Sequence, residues 1–401
     1  MQRWHHRELR IGARAAALML PAVLCAPPAN AANPSELAVA AEYVRDIKMP
    51  GVGDPIIRPS VLHYDRFHNE VLVGDMGNNR IAIFGTDGVF RFTFPLTGLM
   101  SSPRDITTDP AGFIHVLGSS AAGAVLARFD FDGMPLDHSG VPAVFDGRAI
   151  DPTQLACDDQ GVVHVLDHQG RRVLALGDDG ITHAFDIDAS AETEGLGEGF
   201  ALGTLSFDEG VFYVPIGNLG TVHRYDGEGR FLGSIGRFGS EPGTLNFPVA
   251  AEVTPDGLLA VLDRPRYAVV CYALDGRFLG EFGGRGTSPG WFMGPSLLAV
   301  QSSDQVLVGQ VFRNRIQVCS FPSFIREGLG QATNRLSIPL GPVNDGTESQ
   351  LVDVSQRRLP ANSSLLLPVS TVFAMKTGAS VPARSHEAQP VQRASFLEVS
   401  K

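Results

Sequence analysis

The chain has 401 residues, of which 44% are apolar and 19% charged, and a formal net charge of -11. That acidity argues against bulk attraction to DNA, RNA or anionic lipid. The apolar share is enough for a large buried core.

The N-terminus opens with Arg3, Arg7, Arg10 and Arg14, followed by the apolar run AAALMLPAVLCA (15–26) and then Ala29-Asn30-Ala31. A basic start, a short apolar run and small residues at the exit predict a secretory signal peptide cut after Ala31. The run is too short to span a bilayer. Leu24 stands where a lipoprotein would carry a small residue before Cys25. Cleavage would leave 28 basic and 42 acidic residues, a net charge near -14. No later segment is long and apolar enough to cross a membrane. The expected product is secreted, to the periplasm or beyond the cell.

Three cysteines would survive cleavage: Cys157, Cys271 and Cys319, each inside an apolar, strand-like run. An odd, widely spaced set makes no disulfide framework and reads as buried free thiols. The absence of C-x-x-C-H excludes self-attached c-type haem.

Hairpin punctuation runs from 58 to 325. GRFLGSIGRFGSEPGTLNFP (229–248) returns 47 residues later as GRFLGEFGGRGTSPGWFMGP (276–295). A residue opens each repeat: Pro59, Pro103, Pro152, Leu202, Pro248 and Pro295, in steps of 44, 49, 50, 46 and 47. Each opening begins an apolar run, an Asp/Gly turn, a second run, a third such as NRIAIF (79–84), and a fourth such as GRFLGSI (229–235). Four strands per repeat at this period predict an all-β, six-bladed propeller. The sixth repeat supplies only three strands and ends near Phe321. AEYVRDI (41–47) lacks a partner and is expected to close the ring as the sixth blade's outer strand. The expected organisation is a signal peptide at 1–31, a propeller at 32–329, and a Ser/Pro-rich, partly disordered extension at 330–401.

The pattern VGDMGNNRIAIF with FGTDG (71–88), echoed by NRIQVC (314–319), resembles an NHL repeat. So do the G-x-x-G-x-x-x-G-x-F-x-x-P linkers. The resemblance covers about 41–325. It departs at Gly118, Ile216 and Gln310, which replace the Asp expected after the second strand. It implies the propeller fold. NHL repeats occur in binding scaffolds and in some enzymes, so it does not select an activity.

Strand order puts the second-to-third-strand loops and the blade-to-blade linkers on one face, here the top. Those loops hold Arg80, Arg171, Arg172, Arg264, Arg266, Arg313 and Arg315; Arg58 and Arg104 lie at the linkers. The bottom turns hold Asp65, Asp109, Asp158, Asp208, Asp256 and Asp304, residues that make tight turns without any ligand. The arginines have two readings: local ion pairs, as between Arg80 and Asp75, or a face that binds a protein partner or an anionic ligand.

Along the first strands, polar residues alternate toward a central channel. One level carries His63, Thr107, Ser206 and Glu252; the level above carries Asp105, Gln154 and Thr204. His63, Asp105, Gln154 and Glu252 are the channel candidates. Two ligands at one level fall short of a metal site, so no metal or cofactor is expected. No G-x-S-x-G, H-E-x-x-H or P-loop is present. The expected function is a secreted, non-enzymatic and monomeric binding propeller of the cell envelope. The alternative is a metal-dependent hydrolase or lyase with its site in the channel.

Overall fold

The computed structural model describes residues 39–51, 53–177, 180–187 and 201–335, with side chains as far as Gly330. The signal-peptide segment and the chain after 335 lie outside the described residues. Six four-stranded antiparallel sheets follow one another as blades 1 to 6. Their innermost strands are Pro59–Asp65, Ser101–Thr108, Pro152–Cys157, Ser206–Asp208, Pro248–Val253 and Leu297–Val300. Blades 1 to 5 each use four consecutive strands. Blade 6 takes three, and its outer strand is Glu42–Ile47, with Glu42 opposite Ser320 and Ile47 opposite Ile316. The N-terminal strand therefore closes the ring, as its unpartnered sequence predicts.

Each blade is covered by a neighbour on either side, so its middle strands are apolar on both faces. Leu258–Asp263 and Ala268–Ala273 are buried at every position. Buried clusters join neighbouring blades. Leu72, Ile81 and Ile83 of blade 1 meet Ile106, Val116 and Phe129 of blade 2. Leu62 and Val71 of blade 1 meet Leu307 and Val318 of blade 6, which makes the closure hydrophobic as well as hydrogen-bonded. Fully burying one such side chain stabilises by about 1.5–3 kcal/mol.

The repeated motifs have backbone causes. Asn79 and Asn314 end matching single-turn loops in the left-handed region, at φ 49° and 50°. Asn tolerates that conformation better than most residues, which accounts for the recurring Asn-Arg pair. In the two near-identical linkers, Gly243 and Gly290 sit at φ 75° and 79°. A Cβ on Gly290 would run into the Ala41 carbonyl, whose own N–H donates to Gly290 O.

One element was not expected from the sequence. Helix α1 (Ser323–Arg335) runs across the 329/330 boundary assigned to the propeller's end. Gly328 and Gly330 weaken its intrinsic propensity, so contacts with the propeller hold it. Ile325 and Leu329 join the cluster of blades 5 and 6. Gly280 leaves room for the Phe324 ring, and Arg277 Nη1 donates to Gly328 O at 3.2 Å.

Candidate ligand-binding site

Blade geometry disposes of most of the top-face arginines. Arg80 Nε donates to Asp75 Oδ2 at 2.9 Å, and its Nη1 to Asp54 at 2.7 Å. Arg172 is wholly buried, with Nε 2.8 Å from Asp167 Oδ2. Arg266 pairs with Glu281, and Arg315 Nε donates to Asp46 at 3.0 Å. These four fit the local-ion-pair reading. Arg171 is half-buried at φ 51°. Arg264 and Arg313 are exposed, and neither has an ion-pair partner among the described residues. Of the linker arginines, Arg104 donates to Pro152 O at 2.8 Å. The acids that follow the second strands do a second job. Asp75, Asp167 and Asp263 accept backbone N–H groups of the preceding linker, from Ile57, Asp151 and Asn246. In blade 6 Gln310 does the same for Met293, so the departure from Asp keeps the tie.

The channel candidates tie one inner strand to the next. Asp105 accepts the Leu155 N–H at 2.6 Å, and Glu252 accepts the Val300 N–H at 2.7 Å. Ser206 donates to Ala251 O at 2.7 Å, and Ser60 to Pro103 O at 2.7 Å. His63 Nε2 lies 3.1 Å from Thr108 Oγ1. Gln154 instead donates to the adjacent Thr153 O at 2.9 Å. Burial governs their protonation. It pushes Glu252 up to about 8, aided by the Asp105 charge and opposed by the Val300 N–H. It pushes Asp105 up to about 7 and holds the His63 imidazole down at about 4. Glu252 and His63 are half-buried.

His63 and Glu252, expected at one level, do line one cavity; Asp105 and Gln154 are not in its lining. The cavity has a volume of about 830 Å³ and belongs to the bottom end, not the arginine end. Turns of blades 1, 4 and 5 form its rim, and Arg326, Leu329 and Gly330 of α1 form one wall. Thr107, Thr108 and Ser206 supply hydroxyls; Phe67, Leu155, Leu205, Phe207 and Leu274 supply apolar surface. Arg326 is held by Asp256 at 2.9 Å and by Asp304 at 3.5 Å, and Arg66 faces Asp159 at 3.6 Å. Asp208, read from sequence as one of many turn acids, also lines this space. Burial and the neighbouring Glu209 push it up to about 6. Among the described residues, no group of three or more His, Cys, Asp or Glu is arranged to hold a metal ion.

No protein-family model and no curated protein matches the chain. Solved structures do. One is a Bacteroides thetaiotaomicron protein of unknown function, with a TM-score of 0.51 and 12% identity over 71% of this chain and 74% of that one. Others are a streptogramin B lyase (TM-score 0.47, 13% identity, 70% and 88% covered) and a Staphylococcus aureus virginiamycin B lyase (0.47, 14%, 68% and 83%). Likeness at these identities concerns the fold alone.

Proposed function

We propose that this chain is a secreted, non-enzymatic propeller of NHL type that binds a ligand in the cell envelope, and that the ligand seats in the bottom cavity. The observation that carries this reading is the cavity itself. At about 830 Å³, with apolar walls and a few polar groups, it has the size and make-up of a small-ligand site. The inner-strand groups that an enzyme would use are engaged as braces: Glu252 on Val300, His63 on Thr108. That favours binding over catalysis.

The test is recovery of a ligand. The protein is incubated with an extract of envelope small molecules, and bound species are identified by mass spectrometry. Pro255→Trp adds bulk at an exposed rim position and should abolish recovery without lowering Tm. Equal recovery from the variant moves binding elsewhere; no recovery from the parent ends the proposal. Elemental analysis separates the alternative enzyme class: about one tightly held metal per chain, lost in Glu252→Gln, would favour a metal-dependent hydrolase or lyase.

A second reading rests on Phe312. It is 92% exposed on the top face beside Arg313, and Phe238, 63% exposed, shares that face. Exposed aromatic and arginine side chains are typical anchors of protein interfaces. A protein or anionic partner at the top would lose capture with Phe312→Ser, Arg313→Ser and Arg264→Ser combined, and keep it with Pro255→Trp.

A further inference from the structure

Blade 4 has lost one residue from the turn between its first and second strands. In blade 3, five residues separate the paired positions Cys157 and Val163. In blade 4, four separate the matching Phe207 and Phe212. The longer turn gives its first residue a structural duty. In blade 3, Asp158 Oδ1 accepts N–H groups from Gln160 and Val162, both at 2.9 Å, and Oδ2 holds His164 at 2.9 Å. In blade 2, Asp109 does the same for Ala111, Phe113 and His115. Blade 5 uses Thr254, whose Oγ1 accepts the Leu258 N–H at 2.9 Å.

The blade 4 turn is a tight two-residue hairpin of Glu209 and Gly210, at φ 44° and 82°. It offers Asp208 no turn N–H groups, and Tyr213 stands where the histidine would be. Among the described residues, the Asp208 carboxylate accordingly makes no hydrogen bond and no ion pair, yet it lines the cavity. Its counterparts in blades 2 and 3 are fully engaged; this carboxylate is released by the shortened turn.

Arg66 offsets its charge in part, against burial and the acids Glu209 and Asp159. Arg326 is committed to Asp256 and Asp304, and Arg66 faces Asp159. The cavity therefore carries an excess of acceptors. Gln301 adds one of independent origin. It is 8% exposed, its Nε2 donates to Thr86 O and Gln305 Oε1, and its Oε1 is buried without a donor. Phe67 and Phe207 supply rings to the same lining. Such rings favour a cation beside an apolar body.

We infer that the bottom cavity takes an organic cation, an ammonium or guanidinium group on an apolar body, with Asp208 as its counter-ion. This rests on the reading of that cavity as the ligand site. The group arrives either on a free small molecule or as the basic side chain of a peptide.

Calorimetric titration of the full chain tests this with four probes: phenethylamine, acetyl-Phe-Arg-amide, 3-phenylpropanol and 3-phenylpropionate. The amine or the arginine peptide should bind, and the one that binds more tightly identifies the source. The neutral alcohol and the anion should not bind. Asp208→Asn, which keeps the shape and removes the charge, should weaken cation binding at least ~10-fold, the effect of a lost charge-assisted hydrogen bond. Its Tm should not fall below the parent's, because the Asp208 side chain supports no structural contact and burial disfavours its charge. Equal cation binding by Asp208→Asn, or no binding by either cation, overturns the inference. If the alcohol or the anion binds instead and Pro255→Trp blocks it, the cavity remains the ligand site and only its cation preference fails.

Discussion

Arg172 and Asp167 form an ion pair from which water is excluded, with Nε 2.8 Å from Oδ2 and both side chains at 0% exposure. Every remaining group is spoken for. Arg172 Nη1 donates to Phe145 O at 3.1 Å, and its guanidinium lies 5.4 Å from the Phe145 ring centre. Asp167 also accepts from Asp151 N and Gly170 N. The pair joins the blade 2 to blade 3 linker to the top loop of blade 3. Removing one partner leaves a charge buried alone. Asp167→Ala should cost about 3–5 kcal/mol in chemical denaturation. Arg264→Ser, at an exposed site, should stay within about 0.5 kcal/mol. Equal effects would mean that the buried pair carries no special weight.

Ring closure makes a second prediction. Ile47 is 3% exposed and packs in the cluster that joins blades 6 and 1, and Arg315 reaches across to Asp46. Deleting residues 32–48 would strip blade 6 of its outer strand and expose the Arg315–Ser320 edge. Tm should fall by about 4 °C or more, the shift expected for each ~1–2 kcal/mol lost in a domain of this size. A deletion variant as stable as the parent would refute closure by this strand.

Much of the architecture was legible because propeller physics repeats. Gly243 and Gly290 take the same positive φ in the two similar linkers, so identical spacing marks identical turns. AEYVRDI was legible through its lack of a partner. The site was less legible for a physical reason. Asp208 belongs to a set of turn acids that look alike in sequence, and only the turn's hydrogen bonds separate a working cap from a released carboxylate. The signal was present, since FDEGVFY is one residue shorter than CDDQGVVH. Its meaning needed the cavity. Arg171 and Arg172 are adjacent in sequence, but the strand begins at Arg172 and turns that side chain inward onto Asp167. Helix α1 left little trace because its two glycines mask a pattern that the propeller surface then enforces.

The thiols give a third prediction. Burial pushes Cys157 up to about 12, with Asp109 and Asp158 adding to the effect. Burial likewise pushes Cys319 up to about 12 and raises Cys271. The thiolate is the nucleophile, so all three should resist alkylation in the folded protein. At pH 8, peptide mapping after iodoacetamide should find each at least ~100-fold slower to react than in the unfolded chain. Fast labelling of Cys157, the half-buried thiol at the cavity, would contradict its enclosure by the channel wall.

Glu252 yields the last prediction, a pH dependence with a definite sign. Its carboxyl titrates at about 8 in the fold, mainly through burial, against a reference of 4.5. Between those values the native state holds a proton that the unfolded state has released. The unfolded chain then binds fewer protons, so stability falls as pH rises through that window and levels off above pH 8. Asp105, at about 7, and Asp208, at about 6, push in the same direction over narrower windows, from a reference of 3.8. Glu252→Gln removes the ionisation and keeps an oxygen to accept the Val300 N–H. At pH 8.5 the variant should be more stable than the parent by urea denaturation. At pH 4.5 the two should coincide, because the parent carboxyl is then neutral in the fold. A variant that is less stable at both pH values would show that the carboxylic O–H of Glu252 itself holds the inner strands together.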